Sequence, residues 1–222
     1  MKTALVVGST GLVGELLVKE LVSSSSFDLV FAIVRKKHFN TKKKLKEIIF
    51  DFNNPKSFQR LEAVDHVFCC LGTTIKKAGS KENFRHVDFD LPLSFANWAE
   101  ETKAGSFSIV TALGADSSSK IFYNKVKGEL EDKLKEFNIP TIQIFQPSLI
   151  LGKRNEFRIG ELIGKAVFKC INPFLFGLLK KYRGIEAVLI ARGMVSYLKN
   201  FSGGVNVIES HLIDKYEKES IQ

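Results

Sequence analysis

Residues 4–14 read Ala4-Leu5-Val6-Val7-Gly8-Ser9-Thr10-Gly11-Leu12-Val13-Gly14, an apolar run followed by a glycine-spaced turn, and this stretch decides the fold. The apolar run has the length of a buried strand, and Leu12, Leu16, Leu17 and Leu21 then recur at helical spacing. The order is therefore strand, turn, helix. Glycine at 8 permits the tight turn, at 11 lets a phosphate approach the backbone, and at 14 lets the helix lie close to the sheet. The free N–H groups of the first helical turn then face an anion, and the pyrophosphate of a dinucleotide is the anion that fits. Gly8, Ser9, Thr10, Gly11, Leu12, Val13 and Gly14 form the candidate cradle. Glycines also occur in purely structural turns, so the flanking strand and helix give this spacing its chemical meaning.

Working outward, Leu29 to Val34 is the next apolar run and completes a βαβ unit. Ile48 to Phe52, His66 to Leu71, Phe107 to Ala112 and Thr141 to Phe145 read as further buried strands. Between the fourth and fifth lies Asn83 to Lys103, a helical crossover bent near Pro92, and a helix capped by Ser118 or Ser119 runs to about Phe137. Strands alternating with helices predict an α/β fold with a parallel, doubly wound sheet. After Leu149 the pattern changes. Residues 149–222 are expected to form a small closing lobe on a single domain spanning 1–222, with a helix over Ile185 to Leu198 and a late strand at Val205 to Ile208.

Composition limits what this fold can be used for. Hydrophobic residues make up 45% of the chain and only 5 are prolines, which supplies a core and argues against a long disordered segment. The net charge of +9 favours anionic partners of every kind. Lys42, Lys43, Lys44 and Lys46 crowd one segment without interleaved aromatics, so a solvated surface explains them and nucleic-acid binding is not expected. Cys69 and Cys70 are adjacent and Cys170 is distant, which offers neither metal-ligand spacing nor a disulfide framework and suggests a reducing, cytoplasmic setting. Phe168 to Leu179 is apolar but broken by Lys169, Asn172 and Pro173, too short to span a bilayer; it is expected to cover a cleft or join the core, with peripheral membrane contact as the alternative.

The ends of the strands carry the chemistry. An acidic residue after the second strand would bind the ribose hydroxyls of NAD, but this chain has Val34-Arg35-Lys36-Lys37. Arg35 and Lys36 favour a 2′-phosphate, hence NADPH, unless they are simply further surface cations. Asp51, after the third strand, is placed to meet the adenine amino group. Leu71, Gly72 and Thr73 follow the fourth, where a chain passing under the cofactor needs a small residue; either loop could also stand without a ligand. Tyr123 and Lys127 lie four apart, on one face of a helix. A phenol is a poor base at neutral pH, but a neighbouring ammonium stabilises the phenolate. Such pairs also occur on solvated helix faces.

Together with Cys69-Cys70-Leu71-Gly72-Thr73-Thr74, Val87-Asp88, Gly114-Ala115-Asp116 and Phe122-Tyr123 leading to Lys127-Gly128-Glu129, the glycine turn resembles the atypical branch of the short-chain dehydrogenase/reductase superfamily. The resemblance covers nearly the whole chain. It implies a catalytic Tyr123 that protonates a substrate oxygen as hydride arrives, a Lys127 that also binds the nicotinamide ribose, and a segment Pro147 to Leu149 lining the nicotinamide side. It extends to Tyr182-Arg183-Gly184-Ile185-Glu186, where Arg183 either meets substrate or braces the fold. The chain departs from the family at Gln146, where arginine is usual before the proline, and at Thr111-Ala112-Leu113, where serine is usual. Thr111 is the candidate catalytic hydroxyl of that region; the usual serine can also align one or two positions later, where no hydroxyl exists. Two functions follow as expectations: an NADPH-dependent oxidoreductase of a small carbonyl compound, or a nucleotide-binding sensor that uses its C-terminal surface for a protein partner. Oligomeric state is not legible.

Overall fold

The computed structural model describes residues 2–40, 43–152, 182–200 and 203–213. Parallel strands buried on both faces read as continuous apolar runs, and the runs found above form that kind of sheet. The strands are β1 (Thr3–Val7), β2 (Leu29–Val34), β3 (Leu45–Ile49), β4 (His66–Cys69), β5 (Ser106–Val110) and β6 (Thr141–Gln146). Two short strands follow, β7 (Ile150–Leu151) and β8 (Ile185–Glu186), and then β9 (Gly204–Glu209). Seven strands pair in the order β3-β2-β1-β4-β5-β6-β9, all parallel, while β7 and β8 make a separate parallel pair. The chain leaves β1 toward β2 on one side and returns to β4 on the other, so the switch point of the sheet lies between β1 and β4.

Helices cover both faces. The helices are α1 (Leu12–Ser23), α2 (Ile75–Ala78), α3 (Lys81–Arg85), α4 (Leu91–Glu101), α5 (Phe122–Leu134), α6 (Ala187–Asn200) and α7 (Ser210–Ile213). Alternation along β1 sends Ala4 and Val6 toward Leu17 and Leu21 of α1 and Ile190 and Met194 of α6. Leu5 and Val7 face Phe95 of α4 and Leu130 and Leu134 of α5. Leu17, Phe95 and Leu130 are fully buried, each contributing about 2 kcal/mol by area. The doubly wound α/β arrangement is thus the observed fold.

The third strand begins at Leu45 rather than Ile48, because Leu45 points into the core and pairs in register with Val30. The crossover also begins earlier. Ser80 caps α3 by accepting the Asn83 N–H, and a π-helical turn over His86–Asp90 joins α3 to α4. Pro92 cannot donate to the carbonyl four residues back, and the wider turn just before it absorbs that missing bond without breaking the helix. The α5 helix starts at Phe122, with neither Ser118 nor Ser119 at its cap position. Those serines sit in a turn organised by Asp116, whose carboxylate accepts the Ser118 N–H and hydroxyl at 2.9 and 2.7 Å. The expected late strand is β9, an edge strand beside β6. The apolar segment Phe168 to Leu179 lies outside the described residues.

Candidate functional site

The C-terminal ends of β1, β2, β4, β5 and β6 bring most of the candidate residues to one edge of the sheet, the edge where ligands of such folds bind. At its centre is the glycine turn. Gly8 has φ +73°, and a Cβ there would stand 2.6 Å from the Cys70 carbonyl carbon and oxygen, so only glycine lets the turn pass beside the end of β4. Gly11 is exposed and sits at the N-cap of α1, where no side chain accepts a hydrogen bond from the first turn. The first-turn N–H groups of a twelve-residue helix are therefore left facing outward, as an anion requires. A dinucleotide pyrophosphate fits this cradle.

The other cradle residues divide by direction. Ser9 is fully buried and its hydroxyl donates to the Ile33 carbonyl at 2.6 Å, tying the turn to the end of β2. Thr10 is exposed, while Leu12 and Val13 pack inward with the core of α1. Arg35 and Lys36 are exposed directly after β2. Asp51 is exposed beyond β3, and one of its carboxylate oxygens accepts the Asn53 N–H at 3.0 Å in a local turn.

Lys127 departs from a solvated helix face. Its side chain is 3% exposed and its Nζ lies 2.8 Å from Oδ1 of Asp88, itself 1% exposed. Burial works against the Lys127 charge, but the Asp88 carboxylate and then Tyr123 outweigh it and hold the ammonium above the ordinary lysine range. The other Asp88 oxygen accepts the Thr73 N–H at 2.8 Å. Tyr123 is half-buried, its ring 5.5 Å from that of Phe84. The helix carrying both is pressed on the preceding loop: a Cβ on Gly128 would stand 2.1 Å from the Ser117 nitrogen.

Thr111 was expected to offer a hydroxyl toward substrate. It is buried, and it spends that hydroxyl on Glu131, donating to Oε1 at 2.5 Å with the Phe145 carbonyl 3.2 Å away. Gln146, standing where arginine was usual, donates from Nε2 to Glu131 Oε2 at 2.8 Å. Glu131 is 4% exposed, and burial raises its carboxyl above the ordinary range despite those two hydrogen bonds. Tyr123, Lys127 and Glu131 lie at intervals of four on α5, so the spacing that singled out the first two also reaches the third. Asp88 and Glu131 are the two site residues that sequence reasoning did not assign.

Pro147 is buried and its carbonyl accepts the Leu113 N–H, while Leu149 is exposed and its carbonyl accepts from the Ile185 N–H. The Ser148 hydroxyl donates to the Arg183 carbonyl, so this segment is tied to the stretch around β8. Cys69 and Cys70 are free and buried or nearly so; burial pushes the Cys69 thiol up to about 12, far from a nucleophile's range. Among the described residues no group of His, Cys, Asp and Glu could hold a metal ion. No helix among them is long and apolar enough to cross a membrane.

Fold and edge together define a Rossmann-fold protein of the short-chain dehydrogenase/reductase type. The chain belongs to the HIM1 family, whose model matches residues 19–174. It is 29% identical to Protein HTATIP2 of Rattus norvegicus over 225 residues, covering 99% of this chain and 90% of that one. It is 34% identical to the mitochondrial protein FMP52 of Eremothecium gossypii over 165 residues, 74% of each. Among solved structures, a short-chain dehydrogenase/reductase family oxidoreductase from Burkholderia thailandensis superposes with TM-score 0.71 at 14% identity, covering 99% of this chain and 95% of that one. MoeE5 in complex with UDP-glucuronic acid and NAD superposes with TM-score 0.67 at 12% identity, covering 93% and 75%. At such identities the superpositions speak for the fold alone.

The relatives correct one expectation. Free cysteines suggested the cytoplasm, but the FMP52 relatives from several fungi are mitochondrial proteins. Reduced thiols are compatible with any reducing compartment, so cysteine usage could not make that distinction.

Proposed function

We propose that the chain is an NADPH-dependent oxidoreductase of a carbonyl compound. The observation that carries the reading is Lys127, a buried ammonium held charged on the same helix face as Tyr123, at the sheet edge that also presents the glycine cradle. The hydride for the carbonyl carbon would come from NADPH held in the glycine cradle. The Tyr123 hydroxyl donates its proton to the carbonyl oxygen as negative charge develops there. Lys127 faces the phenolate left behind and stabilises it, and its remaining N–H groups serve the nicotinamide ribose. The first-turn N–H groups after Gly11 hold the pyrophosphate, and Arg35 with Lys36 hold the 2′-phosphate. Residues 147–149 line the nicotinamide side.

The test is NADPH oxidation followed at 340 nm across a panel of aldehydes and ketones, with wild-type protein and Tyr123→Phe. Turnover that falls at least about a hundredfold in the variant supports the reading. Full activity in the variant removes Tyr123 from the mechanism.

A second reading has an observation of its own. The Thr111 hydroxyl is engaged by Glu131, which leaves the end of β5 without a free hydroxyl for substrate and favours a nucleotide-binding sensor with little turnover. Tight NADPH binding with no oxidation across the whole panel would decide for the sensor.

A further inference from the structure

We propose that Asp88 is a positioning residue of this site, its carboxylate coupling the Lys127 ammonium to the backbone of the Gly72–Thr73 loop so that the two cofactor-facing elements are set as one unit. The inference rests on the cofactor reading above. Oδ1 of Asp88 lies 2.8 Å from Lys127 Nζ, and Oδ2 accepts the Thr73 N–H at 2.8 Å. One carboxylate thereby joins the end of β4 to α5. Gly72 lies beside the same carboxylate: a Cβ there would stand 3.6 Å from Asp88 Oδ1, an ordinary van der Waals contact.

The helix that carries Asp88 is itself matched to α5. The Phe84 ring packs against that of Tyr123, tilted with centroids 5.5 Å apart, and Asp88, four residues on, meets Lys127, four residues on. Arg85 pairs with Glu129 at 2.5 Å and covers the Phe89 ring at 4.0 Å, securing the same two helices from outside. The π-helical turn over His86–Asp90 places the carboxylate at this crossing. A buried ion pair is a poor way to gain stability, since apolar residues of the same size usually serve as well. Here the pair does what apolar residues cannot: one oxygen holds an ammonium at 2.8 Å while the other accepts a backbone N–H.

Calorimetric titration of the full chain with NADPH, for wild type, Asp88→Asn and Ile139→Ala, tests this. Ile139 is buried at the opposite edge of the sheet, so its truncation lowers stability without touching the site. Asp88→Asn should weaken NADPH binding at least about tenfold, about 1.4 kcal/mol, while Ile139→Ala keeps the wild-type affinity. Removing a negative charge near an anionic ligand would by Coulomb's law alone tighten binding, so a loss isolates the positioning effect. Should Asp88→Asn fail to fold, the double variant Asp88→Leu with Lys127→Met removes both charges; it should fold and exchange the Thr73 amide faster than wild type, a readout that does not pass through the Lys127 contact with cofactor. Wild-type affinity in Asp88→Asn, or wild-type Thr73 exchange in that double variant, overturns the coupling while leaving the cofactor reading intact. A wild-type chain that takes up no NADPH defeats the cofactor reading and the coupling with it.

Discussion

Gly14 faces the carbonyl of Gly8 so closely that a Cβ at 14 would stand 2.2 Å from the oxygen. The first turn of α1 is thereby seated on the turn that precedes it, and the N–H groups of that turn keep their aim. Gly14→Ala should destabilise the protein by about 3 kcal/mol, since the obstructing atoms are backbone and cannot swing aside. Gly11→Ala is different. Its Cβ would meet only the Gly8 oxygen, at 3.2 Å, and its φ of −79° suits any residue. It should leave the melting temperature nearly unchanged while weakening NADPH about tenfold, because the added methyl occupies the phosphate's approach. Thermal denaturation and calorimetry on both variants check the contrast; equal melting temperatures would contradict it.

Lys127→Met should cost stability as well as function. The substitution leaves Asp88 buried with its charge unmatched, and breaking a buried pair from one side costs about 3–5 kcal/mol. Denaturant unfolding should therefore show a lower midpoint for Lys127→Met than for Lys125→Met, since Lys125 is exposed and 4.0 Å from Glu129. Equal midpoints would contradict the buried pair.

Glu131 gives the stability a pH dependence of defined sign. Burial raises its carboxyl above the unfolded value, so the folded state binds that proton more tightly than the unfolded state does. This contribution is complete below the ordinary glutamate range and is lost as pH rises through the raised value. Glu131→Gln mimics the protonated form: its amide donates to the Thr111 oxygen, and its carbonyl accepts from Gln146. The variant should melt higher than wild type at pH 8, with the advantage shrinking toward pH 4. An advantage that grows on acidification would contradict the assignment.

Arg35→Ala should weaken NADPH binding about tenfold and leave NADH binding unchanged, because an exposed charge-assisted bond to the 2′-phosphate is worth about 1.5 kcal/mol. Parallel titrations with the two cofactors measure the ratio. Equal losses for both would assign Arg35 to general surface charge.

What the sequence made legible follows from where each signal resides. The glycine turn and the strand runs could be read because a parallel sheet buried on both faces demands unbroken apolar segments, and Ala4–Val7 and Leu29–Val34 are such segments. The start of β3 was less clear, since an edge strand mixes buried Leu45 with exposed Ile49. Tyr123 and Lys127 were found by local spacing. Asp88 and Glu131 were not, because their meaning depends on partners brought by the fold: Thr73 and Lys127 for one, Thr111 and Gln146 for the other. The departure at Gln146 marked the place where Glu131 would be found, but only the packing of α5 across the ends of β5 and β6 revealed the partner.

Titration of NADPH into the full chain, repeated with Gly11→Val, tests whether the turn from Gly8 to Gly14 receives a dinucleotide. Saturable binding of one NADPH per chain is expected, weakened at least about tenfold by the branched side chain while the fold, judged by circular dichroism, persists. No binding by the wild-type chain, or binding that Gly11→Val leaves untouched, would contradict dinucleotide binding at this turn.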